Sequence, residues 1–229
     1  LIIDLRDTPR KLFVNAELTQ WREFRGGWLS GAHSKFIVID VLQGASMMGA
    51  HFKPGGAAAL LQWPATELAD GVEELENVWG PESLNLRDAL LSTRAPAEKF
   101  EVLERFLESK LSVQPPRWFG EALALLTART GPLKLGAVAD ELGISHKHFI
   151  SEFRAMVGLT PKRYSRIMRF QHALAEIETT RKLEWAGLAV DSGYYDQAHF
   201  IADFVAFSGL NPSRYLAERG EYLNYVPVE

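Results

Sequence analysis

The chain has 229 residues, more than one compact domain usually needs, so two domains are the expectation. Its 47% hydrophobic and 24% charged residues are the balance of an ordinary globular protein and exclude a disordered chain. The complete lack of cysteine excludes disulfide staples, thiolate metal sites and cysteine nucleophiles together, and fits a reducing cytoplasm. The net charge of -4 is unevenly spread: residues 1–111 hold 12 basic and 16 acidic side chains, whereas residues 112–229 hold 13 of each. No apolar run of about 18 residues predicts a membrane-spanning helix, and the opening "LIIDLRDTPRK" is too short and wrongly flanked to read as a signal peptide.

In chain order, the first forty or so residues carry β-rich patches, notably "KFIVIDVL" (35–42) and then "MMGAHF" (47–52), bounded by the Gly-containing turns "RGG" and "QGAS". They predict the strands of a small sheet or barrel. After "KPGG" the texture becomes helical: "PATELADGVEELENVWG", "PESLNLRDALLS" and "PAEKFEVLERFLESKL" each begin at a proline, which the first helical turn tolerates. Residues 1–111 thus read as an α+β domain. "SVQPP" (112–116) reads as a linker, and 117–229 as all helical.

The C-terminal part repeats itself. "HFISEFRAMVGLTPKRY" begins at His148 and "HFIADFVAFSGLNPSRY" at His199, and nine of the sixteen positions after the shared histidine are identical. Upstream of the first copy, Leu135, Val138 and Leu142 have the spacing of one helix face; Gly143 follows, and Ser145 is placed to cap a second helix. The second copy offers Ala189 for Ala139, Gly193 for Gly143 and Asp196 as the cap, with one more residue in the turn. Each unit predicts a helix, a tight turn and a helix, over about 134–158 and 185–209. Phe149 with Phe153, and Phe200 with Phe204, lie at i and i+4 and predict the buried face. Gly158 and Gly209 end these helices, and new ones start at Thr160-Pro161 and Asn211-Pro212. Between the units, about 161–178 predicts one long amphipathic helix, with Tyr164, Ile167, Met168, Gln171, Leu174 and Ile177 on one stripe and Lys162, Arg166 and Arg169 on another.

Two helix-turn-helix units joined by a long helix, each closed by Gly-x-x-Pro-x-x-Tyr, resemble the DNA-binding domain of the AraC/XylS family of bacterial transcription regulators over roughly residues 116–219. The segment "GYYDQAHFIADFVAFSGLNPSRY" looks like that family's signature region, and "GAHFKPGGAAALL" with the later "VWG" looks like the sensor-type N-terminal region of some members. The resemblance implies a sequence-specific DNA-binding regulator, controlled by a small-molecule effector bound to the N-terminal domain. Its implied partners are double-stranded DNA, RNA polymerase and a second copy of the chain; no membrane, cofactor or catalytic group is implied.

A recognition helix reads base edges through side chains near its N-terminus, while Lys, Arg and helix-end amides hold phosphates. With Phe149 and Phe153 buried, His146, Lys147, Ile150, Ser151 and Arg154 are the outward candidates of the first unit, and Lys162, Arg166 and Arg169 those of the linker helix. The resemblance assigns base contacts to Lys147, Ile150 and Ser151; a lysine can address guanine O6/N7 and an isoleucine a thymine methyl. In the second unit the outward candidates are Gln197, Ala198, His199 and Ala202, followed by Asp203, Val205 and Ala206. Residues 145–169 carry six basic side chains against Glu152 alone, whereas 196–216 carry Arg214 against Asp196 and Asp203. The second copy lacks the basic residues that family members carry at the Ala202, Val205 and Ala206 positions.

Other constellations are thin. His33 and His51 have no acidic third ligand spaced with them and read as ordinary histidines. "KPGG" lacks the spacing of a phosphate loop. Trp21, Trp28, Trp63 and Trp79 are compatible with an apolar pocket or with plain core. Two other classes stay open: a metal- or ligand-binding enzyme with an accessory helical domain, and an interaction protein whose second unit docks a protein.

Overall fold

In the computed structural model of this chain the described residues are 1–6, 9–13, 17–40, 46–112, 114–128, 134–179, 184–220 and 226–227. They form two compact units, the first comprising Leu1–His33, Ile37–Pro115 and Arg154–Gly158, the second Ser34–Phe36, Pro116–Phe153 and Leu159–Glu229. Among the described residues no helix is long and apolar enough to cross a membrane.

The first unit is built on seven short strands among its described residues: β1 (Ile2–Asp4), β2 (Arg10–Phe13), β3 (Trp21–Phe24), β4 (Gly27–Ser30), β5 (Val38–Ile39), β6 (Met47–Gly49) and β7 (Val72–Glu74). They make two antiparallel sheets, of order β6-β1-β4-β7 and β3-β2-β5. Ile2 faces Trp28 in one sheet and Leu12 faces Arg22 in the other. The chain passes between the sheets at Arg25-Gly26, where Gly26 takes φ +70°, a conformation that costs a glycine little. Residues 41–45, part of the predicted strand and turn, lie outside the described residues. Only Val38–Ile39 of the stretch 35–40 is strand.

The run "PATELADGVEELENVWG", expected as one helix, is a 3₁₀ turn over Ala65–Leu68, then β7, then the short helix α1 (Leu75–Trp79). The break falls at Asp70-Gly71, where Asp70 adopts φ +55°, and residues 72–74 instead pair with β4, Trp28 opposite Glu74. Sheet hydrogen bonding has overridden a helical composition. The next two expectations hold: α2 (Pro81–Ser92) and α3 (Pro96–Lys110) both start on proline. Ile3, Leu29, Leu68, Leu75, Leu86, Leu90 and Leu103 join sheet and helices in one apolar core. Beside it Arg10 donates from Nε to Asp4 Oδ2 at 2.7 Å, a pair that is nearly sealed from solvent.

After residue 116 the described regular elements are all helices, as expected. They are α4 (Trp118–Ala128), α5 (Leu135–Glu141), α6 (His146–Val157), α7 (Pro161–Thr179), α8 (Trp185–Asp191), α9 (Gln197–Ser208) and α10 (Pro212–Glu218). The sequence repeat is a geometric repeat. Ile144 N–H donates to Ala139 O at 3.0 Å, and Tyr194 N–H donates to Ala189 O at 2.9 Å. Gly143 and Gly193 supply φ +67° and +79° at the two turns. Ala139 and Ala189 are both fully buried, so the helices of each unit approach closely there. In the first helix-turn-helix repeat the rings of Trp118, Phe119, Phe149, Phe153 and Tyr164 pack edge to face or tilted. In the second, Phe170, Leu174 and Ile177 of α7 close over Leu188, Tyr194, Phe200, Phe204, Phe207 and Tyr215. The predicted stripe on α7 is right at Tyr164, Leu174 and Ile177, while Ile167, Met168 and Gln171 are only half-buried and Phe170 and Ala173 are the deeper residues.

Candidate nucleic-acid interface

A helix meets a DNA groove end-on only if its first turn is ordered and clear of the core. Both second helices satisfy this by the same device. Ser145 Oγ accepts from His148 N–H at 3.2 Å, and Asp196 Oδ1 accepts from His199 N–H at 2.7 Å. The caps sit where the sequence placed them. Asn211 likewise accepts from Arg214 N–H at the start of α10.

On α6, Phe149 and Phe153 are fully buried, and His146, Lys147, Ser151 and Arg154 are exposed with Ile150 half-buried between them. On α9, Phe200, Phe204 and Phe207 are buried, and Gln197, Ala198, His199 and Ala202 are exposed. Val205 and Ala206 are exposed too, and Tyr195 in the preceding turn is 90% exposed. The two repeated histidines stand edge-on to an aromatic ring, His148 against Trp118 and His199 against Tyr194, with centroids 6.3 and 5.4 Å apart. Each is exposed at the first turn of its helix. No metal-like grouping surrounds them: among the described residues no three His, Cys, Asp or Glu side chains gather.

Asp203 corrects the expectation for α9. It was expected outward with Val205 and Ala206; it is 2% exposed, on the face shared with Phe200, Phe204 and Phe207. Positions 200, 203, 204 and 207 are spaced three and four apart, so the helical period puts Asp203 inward in spite of its charge. Its counter-charge comes from α7: Arg166 Nη2 donates to Asp203 Oδ1 at 2.5 Å and Arg166 Nε to Oδ2 at 3.4 Å. The Asp203 carboxylate raises the Arg166 guanidinium further above its ordinary value, against the opposing pull of burial. Burial, with Asp203 adding to it, pushes the Tyr194 phenol up as well.

The basic stretch 145–169 therefore divides. Lys147, Arg154 and Lys162 are exposed. Arg163 and Arg166 lie over the Phe207 ring at 5.1 and 5.5 Å, and Arg169 lies over the Tyr194 ring at 5.0 Å while donating to Gly193 O at 3.1 Å. Composition could not separate these groups. A spacing of three between 163, 166 and 169 is the signal that puts them on one helix face.

In the first unit the four N-terminal tryptophans do not converge. Trp21 is exposed against Phe13, Trp28 packs on Phe24, and Trp79 packs on Phe106 and donates from Nε1 to Leu60 O, with Trp63 on the same cluster. A cleft of about 240 Å³ lies elsewhere in that unit, lined in part by Arg25, Glu74, Glu76, Leu84 and Arg87. His33 Nε2 is 2.8 Å from Ser30 Oγ, and His51 is exposed.

Residues 138–218 match the family model described as a helix-turn-helix domain, and residues 1–74 match a domain of unknown function. No curated protein sequence matches. Among solved structures, a transcriptional regulator from Chromobacterium violaceum with an AraC-type DNA-binding domain is 22% identical, covering 45% of this chain and 92% of its own, with a TM-score of 0.41. The C-terminal domain of the response regulator AraT from Geobacillus stearothermophilus is 21% identical over 48% of this chain and 93% of its own, with a TM-score of 0.44. ToxT from Vibrio cholerae is 12% identical over 94% of this chain and 88% of its own, with a TM-score of 0.45. The domain match falls on the two capped units and the helix between them, and with the repeated motif it identifies residues 138–218 as a helix-turn-helix domain.

Proposed function

We propose that the chain binds specific double-stranded DNA chiefly through α6, with His146, Lys147, Ile150, Ser151 and Arg154 at a major groove and Lys162 at a phosphate. Gln197, Ala198, His199 and Ala202 of α9 meet a neighbouring groove segment with far less charge. The domains are 1–111 for sensing and dimerisation, 112–116 as linker and 117–229 for DNA, in a cytoplasmic regulator that acts as a homodimer on RNA polymerase. The observation that carries the reading is the pair of matching side-chain caps at Ser145 and Asp196, each followed by an exposed first turn. The cleft between Arg25, Arg87, Glu74 and Glu76 is the candidate for a small polar effector.

Selection of binding sites from random DNA with the full chain tests this. Lys147→Ala is expected to weaken binding to the selected site and to flatten its salt dependence by about 0.9 in log–log slope, the yield of one phosphate contact. An unchanged affinity and slope in a folded variant removes α6 from the interface. Ala202→Arg is expected to do the reverse, steepening the slope by about the same amount or sharpening sequence preference by about 1–3 kcal/mol. If it folds and changes neither, α9 does not face DNA.

A further inference from the structure

We infer that Arg166 and Asp203 are positioning residues that fix the second recognition helix to the linker helix, so that the chain reads the spacing of its two DNA segments through its own rigidity. The inference rests on the DNA-binding reading above. α9 holds its buried face against α7 through Phe170, Phe200, Phe204 and Phe207, contacts that are apolar and only weakly directional. The polar contacts are directional. Arg166 reaches Asp203 with two of its nitrogens while its guanidinium lies over the Phe207 ring at 5.5 Å, and three residues on, Arg169 reaches the Gly193 carbonyl in the turn that leads into α9. One helix of the linker is thus tied to both ends of the α9 approach: its turn and its middle.

A carboxylate that is 2% exposed admits few arrangements, because any rotation of α9 that breaks the pair leaves a charge buried without its partner. Buried ionic groups of this kind act as registry devices between packed helices. Among the described residues the first helix-turn-helix repeat shows no ion pair at the equivalent place: Glu152, fifty-one residues before Asp203, is half-buried. The second unit has too little positive charge to be aligned by the phosphates themselves. Its alignment comes from inside the domain, and Arg166, one of the cations the sequence offers to DNA, is the group committed to it.

The test uses the full chain and its selected DNA site, with two base pairs inserted between the two contacted segments. Such an insertion turns one segment by about 70° and shifts it by about 7 Å relative to the other. The native chain is expected to lose tenfold or more in affinity on insertion. Asp203→Asn is expected to weaken binding to the uninterrupted site and to shrink the insertion penalty to about threefold. A folded Asp203→Asn chain that keeps the full penalty overturns the inference, as does a native chain indifferent to the insertion. The variant Arg166→Met with Asp203→Leu, which removes both charges and keeps the volume filled, supplies a second readout if Asp203→Asn does not fold. Its salt slope is expected to equal that of the native chain, and a slope flatter by about 0.9 would make Arg166 a phosphate ligand and overturn the assignment. Loss of all DNA affinity in the native chain defeats the DNA reading itself; retained affinity with an unchanged penalty in Asp203→Asn defeats only this inference.

Discussion

Phe204→Ala is expected to lower the stability of the helical unit by about 3–5 kcal/mol, the usual cost of emptying a sealed aromatic site. Phe204 is fully buried and its ring touches those of Phe170, Phe200 and Tyr215, with centroids 5.1–5.5 Å apart. Its neighbours come from α7, α9 and α10, so no single side chain can swing in to fill the space. Phe153, its equivalent in the first unit, is also fully buried and is ringed by Phe119, Phe149 and Tyr164; Phe153→Ala should cost a similar amount. Denaturant unfolding followed by circular dichroism checks both. A midpoint that does not move in either variant would mean that the inward face of that helix is not the one assigned.

The second large effect lies in the other unit. Asp4→Ala leaves the Arg10 guanidinium, 5% exposed, without its carboxylate, and removal of one member of such a pair typically costs about 3–5 kcal/mol. Among the described residues the two terminal nitrogens of Arg10 already lack hydrogen-bond partners, so Nε to Asp4 is its described polar contact. Asp4 in turn uses both oxygens, accepting from Arg6 N–H at 2.8 Å as well as from Arg10. Replacing both members by apolar groups of similar size, Arg10→Met with Asp4→Leu, is expected to be neutral or to stabilise by about 1–4 kcal/mol. Thermal unfolding of the single and double variants decides it; a single variant as stable as the native chain would show that water already reaches this site.

How much of this could be read beforehand depended on the range of the interactions involved. The turn glycines Gly143 and Gly193, the caps Ser145, Asp196 and Asn211, and the prolines that open α2, α3, α7 and α10 act within a few residues of themselves, so the sequence determined the helical half nearly element by element. The repeat then declared that half twice. The sheets were legible only as a texture, because a strand of three or four residues has no stable partner until distant segments arrive: β1 lies between β6 and β4, and β7 finds β4 across more than forty residues. That pairing is what turned an expected helix over 64–80 into turn, strand and helix.

At the proposed DNA-binding site, local chemistry and helical period together determined which side chains of α6 and α9 are outward, with Asp203 the exception. Its charge argued for the surface and its period for the core, and the conflict could be resolved only by knowing that Arg166 stands opposite. Whether a cation serves DNA or serves the fold is decided in the same way. Lys147 and Arg166 are alike as sequence, but one stands in solvent and the other meets a buried carboxylate, and a charge goes where its interaction with a fixed partner outweighs its hydration. Sequence supplied the elements and their faces; the partner of each charge was set by tertiary structure, because electrostatic energy depends on distances that only the folded chain defines.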